Sequence, residues 1–227
     1  MTVDEFDIRF DILYNNIASN AAPALTPYEK SVFLSQAQKE IITEVYTGKN
    51  NLGISFESTE EARNYLRGLT KSSTISNFET LETSTLNTEY KEYYIDVTNE
   101  SLKDMWFITY EKCKIKDITD DILVVPTKQD VLFNTLNNPF KKPSLNKVLR
   151  VDADNKIYLY SAKDIEKYTI MYISKPTPII LNNINDGTLT IDGQKCSTPS
   201  AGNSPEILHS LILERAVELA KKTYSIN

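Results

Sequence analysis

The spacing of apolar positions divides the chain into helical ends and a β-patterned middle. Phe6, Phe10, Leu13, Tyr14 and Ile17 recur at helical spacing behind Thr2 and Glu5, which stand at capping-box distance. This first helix is expected to stop near Ser19, because Pro23 disfavours helix at Ala22. Thr26-Pro27-Tyr28-Glu29 is a stronger start signal, with a capping hydroxyl, proline at the first helical position and a box-closing carboxylate. Val32, Phe33, Gln36, Ala37, Lys39, Glu40, Ile41, Glu44 and Val45 continue it to Gly48, a natural stop. Ser58 and Glu61 open a third, shorter helix through Ala62, Tyr65, Leu66 and Leu69. Near the other end, Ser204, Pro205 and Glu206 start a helix whose apolar face is Ile207, Leu208, Leu211, Ile212, Ala216, Val217 and Leu219. Lys221 and Lys222 suit its negative end.

Between them the period changes to two. Lys91–Thr98, Met105–Ile115, Ile122–Val125, Val148–Val151, Ile157–Tyr160 and Tyr168–Ser174 are rich in aromatic and β-branched residues and read as strands. Thr127 to Leu136 reads as an inserted helix with Thr127 as cap, followed by a turn-rich loop over 137–143. Lys175-Pro176-Thr177-Pro178 closes the last long strand. Asn185-Asp186-Gly187 and Asp192-Gly193 read as turns around Thr188–Ile191. The Ser/Thr-rich stretch 70–88 reads as extended or poorly ordered. A lone C-terminal helix must bury its apolar face somewhere, and the N-terminal helices supply the surface. The expected fold is α+β: a helical bundle built from both chain ends with an inserted antiparallel β-rich domain. The bundle spans 1–85 and 197–227, with 70–88 as an extended segment. The β domain spans 86–196 and contains a short helix near 128–137.

Composition then excludes several functions. The chain has 227 residues, 41% hydrophobic and 25% charged, with a net charge of -6. That balance argues against wrapping nucleic acid by bulk charge. With 6 Gly, a glycine-rich phosphate cradle is hard to build, and 2 Cys with 1 His are too few for a four-ligand zinc site of those residue types. No apolar run approaches the roughly 18 residues of a membrane span. The start, MTVDEFDIRF, does not read as a signal peptide, and with only two distant cysteines a reducing cytoplasm is the expected site of synthesis. The acid is unevenly placed: residues 1–100 carry 16 acids and 8 bases, residues 101–227 carry 15 and 17.

Candidate chemistry is sparse. Cys196 and His209 lie thirteen residues apart across a predicted loop, and no GxSxG occurs. Asp117, Asp120 and Asp121, and Asp152 with Asp154, match no EF-hand loop and read as turns. Tyr90, Tyr93, Tyr94, Trp106, Phe107 and Tyr110 could stack on bases, but read better as sheet core and cross-strand pairs. Lys141, Lys142, Lys147 and Arg150 form a basic stretch around a proline-bounded loop. These four are the candidate partner or channel contacts. No catalytic, cofactor or metal residue is assigned.

Five segments taken together resemble one family: residues 10–42 (FDILYNNIASNAAPALTPYEKSVFLSQAQKEII), 138–143 (NPFKKP), 148–150 (VLR), 168–181 (YTIMYISKPTPIIL) and 208–220 (LHSLILERAVELA). In order and spacing they are similar to the neck-ring, or head–tail connector, proteins of crAss-like tailed bacteriophages. The resemblance implies a non-enzymatic virion protein without cofactor, made in the host bacterial cytoplasm. It implies a ring below the portal that joins capsid to tail around the DNA channel. The implied partners are copies of itself, the portal protein, other neck-ring or tail proteins, and DNA that passes without tight binding; no membrane is involved. Segments 70–88 and 182–203 are candidates to order on a neighbour. A tail-tip or receptor-contacting module and a hydrolase are the competing expectations.

Overall fold

The computed structural model describes residues 1–15, 24–49, 60–80, 90–184 and 187–224. In chain order the elements are α1 (Val3–Asn15), α2 (Pro27–Thr47), α3 (Glu60–Leu66), β1 (Thr70–Ile75), β2 (Glu79–Thr80), β3 (Lys91–Asp96), β4 (Met105–Ile115), β5 (Asp121–Pro126), α4 (Leu132–Asn137), β6 (Lys147–Ala153), β7 (Lys156–Ser161), β8 (Ile165–Ser174), β9 (Ile179–Ile180), β10 (Thr190–Ile191), β11 (Gln194–Lys195), β12 (Ser200–Ala201) and α5 (His209–Tyr224). The class is α+β, as expected. The chain divides into two compact units, Met1–Leu69 with Pro176–Asn227, and Thr70–Lys175. The expected Ser19 stop, the Ser58 cap, the 81–88 part of the Ser/Thr-rich stretch and the turn at Asn185-Asp186 lie outside the described residues.

In the first unit, capping sets the helix starts. Thr2 and Glu5 exchange backbone-to-side-chain hydrogen bonds of 2.9 and 3.2 Å, and Thr26 with Glu29 forms the full box that starts α2. Gly48 ends α2 in the left-handed region at φ 72°. Phe6, Phe10 and Tyr14 of α1, Leu34, Ala37, Ile42 and Val45 of α2, and Ile212, Leu213, Ala216, Val217 and Ala220 of α5 are buried. Polar contacts tie the helices: Arg215 Nε donates to Glu40 (2.8 Å), the Tyr224 hydroxyl to Glu29 (2.8 Å) and Lys221 Nζ to the Leu13 carbonyl (3.1 Å). Lys30, nearly buried, is held by Asp7 (2.8 Å) and Asp11 (2.7 Å). Burial alone would lower its pKa, but the two carboxylates raise it above the ordinary lysine value.

The buried face of α2 differs from the expected one. Ser31, Ser35 and Gln38 are buried, while Gln36 is exposed and Phe33 half-buried. The reason is polar satisfaction. Ser35 Oγ donates to the Ile179 carbonyl and accepts from the Ile179 N–H (both 3.1 Å), and Ser31 Oγ accepts from the Leu181 N–H (2.9 Å). The two hydroxyls take the place of a neighbouring strand for the extended residues 179–181. Ser204 does not cap a helix: its hydroxyl accepts from Gln38 (3.0 Å), and α5 begins at His209 after a short 3-10 turn over Glu206–Leu208. The β10–β11 hairpin turns at Asp192-Gly193, both at positive φ, as the Asp-Gly signal predicts.

The second unit is one eight-stranded sheet in the order β1-β8-β4-β5-β6-β7-β3-β2. All neighbours are antiparallel except β5 and β6. β1 and β2 are its two edges, yet only residues 76–78 separate them in sequence. Laid flat, eight strands would span about 33 Å. Four Cα steps reach at most about 15 Å. The sheet must therefore curl until its edges approach. Its concave side is filled by alternating residues from nearly every strand, among them Tyr93, Ile95, Cys113, Ile122, Val148, Leu159, Tyr168 and Ile170. Phe78, in the three-residue bridge, joins this core and meets Tyr93 edge-on at 5.7 Å. Of the two readings for the Ser/Thr-rich stretch, extended or poorly ordered, residues 70–75 take the extended one, as a regular edge strand paired residue by residue with β8. Their polar side chains hide this, because Ile75 is the strand's one apolar residue and packs against the core.

Candidate interaction surface

The parallel β5–β6 pair positions this surface. Antiparallel neighbours can be joined by a tight turn, but a parallel pair needs a crossover of a dozen or more residues. Residues 127–146 make that crossover and carry α4. Its inner side is anchored: Leu132 and Leu136 pack with Leu149, Val151, Tyr160 and Tyr90 on the convex side of the sheet. Thr127 is not the helix cap; its N–H continues toward the sheet and donates to the Arg150 carbonyl (2.7 Å). The helical turns begin at Gln129.

The outer side of the crossover is apolar and exposed. Phe140 is 91% exposed, Phe133 61% and Leu145 50%. The loop presenting Phe140 is braced. Asn138 accepts from the N–H groups of Phe140, Lys141 and Lys142 at 2.9–3.0 Å through its side chain and carbonyl. Pro143 is buried, and Ser144 and Lys147 exchange two backbone hydrogen bonds. Phe140 is therefore held out on a stiff loop.

The four basic candidates occupy different environments. Lys141 is exposed on the loop. Lys142 is half-buried, with Nζ 6.0 Å from the centre of the Tyr90 ring. Lys147 Nζ donates to the Phe140 carbonyl (3.2 Å), bracing the loop from below. Arg150 faces the sheet interior and is buried. Its guanidinium lies 2.5 Å from Glu111 Oε1 and 3.2 Å from Asp152 Oδ2, and the Tyr168 hydroxyl donates to Glu111 Oε2 (2.8 Å). Burial pushes the Glu111 carboxyl above its ordinary value despite Arg150, whose own pKa is raised by Glu111 and Asp152 against the opposing effect of burial. The structure brings Lys141, Lys142 and Lys147 together around Phe140 and assigns Arg150 to the interior.

The other candidate residues have structural partners. Both nitrogens of His209 are engaged, Nδ1 by the Met1 amino group (2.7 Å) and Nε2 by the Ser204 carbonyl (3.0 Å). Cys196 is buried among Ile180 and Ile191, which raises its thiol pKa. Asp121 pairs with Lys112 (2.6 Å), and Asp154-Asn155, both at positive φ, turn the β6–β7 hairpin. Among the described residues no three acidic, histidine or cysteine side chains group as a metal site, and no helix is long and apolar enough to cross a membrane. Tyr94 and Tyr158 are directly opposite in β3 and β7, 6.3 Å apart, as cross-strand pairing predicts. A cleft of about 290 Å³ lies at the seam of the curled sheet, lined by Thr74, Asn77, Tyr94, Asp96, Asn99 and Ser101 among others.

Sequence reasoning singled out the lysines but not Phe140 as an exposed group. Its signal was an aromatic residue with no periodic partner, flanked by prolines and lysines. The Glu111–Arg150–Tyr168 cluster left no signal, because its members are remote in sequence.

Comparison with known proteins extends over the whole chain. The family model for phage tail ring protein 3/4 matches residues 1–227. Ring protein 3 of Bacteroides phage crAss001 is 42% identical over 229 residues, covering 97% of this chain and 95% of that protein. Ring protein 4/5 of the same phage is 32% identical over 233 residues, covering 99% and 94%. An end-to-end match of this kind takes in both units and the crossover between β5 and β6. The chain belongs to the phage tail ring protein 3/4 family of crAss-like phages.

Proposed function

We propose that this protein is a structural subunit of an oligomeric ring in the phage neck, joining the portal and capsid to the tail and surrounding the DNA channel. The observation that carries the reading is the family match over residues 1–227, which covers both units. The charge distribution is compatible with it. The unit of Met1–Leu69 and Pro176–Asn227, whose helices from both chain ends act as one bundle in this reading, has 15 acids and 10 bases; Thr70–Lys175 has 16 and 15. Net charges of -5 and -1 permit the less acidic unit of one copy to meet the more acidic unit of the next in a closed ring. An acidic subunit also encloses DNA without neutralising its phosphates, so the duplex stays free to slide. The protein is expected to associate weakly alone and to form its ring on the portal.

Cryo-electron microscopy of purified virions with this chain traced tests the proposal. A ring between portal and tail is the expected result. Density in the capsid shell or tail fibres, or absence from the virion, overturns it.

The seam cleft favours a second reading, a tail-tip module that binds a small polar ligand such as a glycan through its hydroxyl and amide lining. Binding in a glycan screen together with tail-tip density supports this alternative. The hydrolase reading needs His209 as a base, and the Met1 and Ser204 contacts occupy both of its nitrogens.

A further inference from the structure

We infer that the Phe140 loop of one copy docks on the outward face of α1 of a second copy, and that this contact closes the ring. The inference rests on the ring reading above and names the two surfaces that meet. Three observations select them. The crossover offers exposed apolar groups on a braced loop, with Phe140 at 91% exposure, and residues 127–146 together with Lys147 at the start of β6 hold four lysines against one aspartate. A stiff, exposed aromatic beside cations is a surface made for burial by a partner, because little conformational freedom is lost on binding. The opposite composition occurs on α1. Asp4, Ile8 and Ile12 are spaced four apart and lie on one helix face, with Glu5 beside them. Ile8 is 61% exposed and Ile12 54%. Asp7 and Asp11 are held by Lys30, so the exposed charges of α1 are Asp4 and Glu5 in the first turn with Arg9 behind them, a net -1 against +3 for the stretch 127–147.

Other exposed apolar pairs lack this complementarity. Ile207 precedes α5 and Leu211 lies on it, a helix that mixes two acids, Glu214 and Glu218, with Arg215, Lys221 and Lys222. Tyr110 and Met171 are opposite each other on β4 and β8 in the nearly neutral unit. The docking is heterologous: the loop and the helix face are different patches, so each copy uses both and the contact repeats around a ring. Phe140 and Phe133 supply apolar area against Ile8 and Ile12. Lys141 and Lys142 meet Asp4 and Glu5, which sets direction and register more than affinity.

Zero-length carbodiimide cross-linking tests the contact, since it joins an amine to a carboxylate only where they touch. Intact virions and the isolated protein at dilution are treated alike and read by peptide mass spectrometry. The expected result is Lys141 or Lys142 joined to Asp4 or Glu5 in virions, falling at least about tenfold in the diluted protein. Equal yield at dilution means the link is within one chain and overturns the inference. Links from these lysines only to a different protein, or no link at either lysine, also overturn it. None of these results alters the ring reading, which stands or falls on the position of the chain in the virion map.

Discussion

The buried Glu111–Arg150 pair gives a demanding test of the sheet interior. Their side chains are 9% and 11% exposed, and Arg150 Nε has no hydrogen-bond partner among the described residues. Arg150→Met leaves the Glu111 carboxylate in the interior with the Tyr168 hydroxyl as its remaining contact among those described. Removing one partner of a buried pair costs about 3–5 kcal/mol. Replacing both partners with apolar groups is often neutral. Here the Glu111→Leu, Arg150→Met double variant also orphans the Tyr168 hydroxyl, which costs about 1–3 kcal/mol. Adding Tyr168→Phe removes that group, so the triple variant should return to within about 1 kcal/mol of the parent. The pH dependence has a definite sign. Glu111 has a folded pKa above its unfolded one, so its penalty is present at neutral pH and is relieved as pH falls through the folded value. Arg150→Met widens that interval, and its deficit should shrink between pH 7 and pH 5. Urea unfolding followed by the single tryptophan, Trp106, reads the sheet directly, because it lies on β4 with Glu111. An Arg150→Met protein within about 1 kcal/mol of the parent, a triple variant no better than the single, or a deficit independent of pH would refute the reasoning.

Other expectations follow from single contacts. Gly202 sits at φ 74°, and a Cβ there would lie 2.8 Å from Gln38 Nε2, 3.0 Å from Ile179 Cγ1 and 3.1 Å from the Thr177 carbonyl. Gly202→Ala should lose about 1–3 kcal/mol by thermal denaturation, and an unchanged Tm would contradict the packing described. Thr26→Ala removes the α2 capping box and should cost about 1 kcal/mol in the same assay, whereas Thr26→Ser should cost little. Burial raises the thiol pKa of both cysteines, most strongly for Cys113, so neither should react with a maleimide in the native protein while both react in urea. Burial and the Met1 amino group hold the His209 pKa below its ordinary 6.5, with the Ser204 carbonyl opposing them. The stability this contributes is present above pH 6.5 and is lost as pH falls toward the folded value; His209→Gln should flatten that part of the stability profile, measured by urea titration.

Local features were legible in the residues alone wherever one stretch carried its own cause. The capping boxes at Thr2 and Thr26, the Gly48 stop, the Asp192-Gly193 turn and β4 over Met105–Ile115 all rest on neighbours in sequence. Helix starts moved where a capping residue found a distant partner, as Ser204 did with Gln38. The buried serines of α2 were hidden for the same reason: a hydroxyl reads as solvent-facing until residues 179–181 present a backbone to it. The crossover lysines were visible as a charged run, but their separation into loop surface and interior was not.

The sequence by itself determined the element types, the acidic balance and the family, because periodicity, capping chemistry and ordered segments are local or additive properties of the chain. Tertiary structure decided the rest. It curled the sheet until a three-residue link could bridge its edges, made β5 and β6 parallel, and so required the crossover that displays Phe140. Strand partnership is a choice among residues far apart in sequence, and only the packed sheet makes it. Burial follows from that choice, which is why Arg150 and Lys141, nine positions apart, ended in opposite environments.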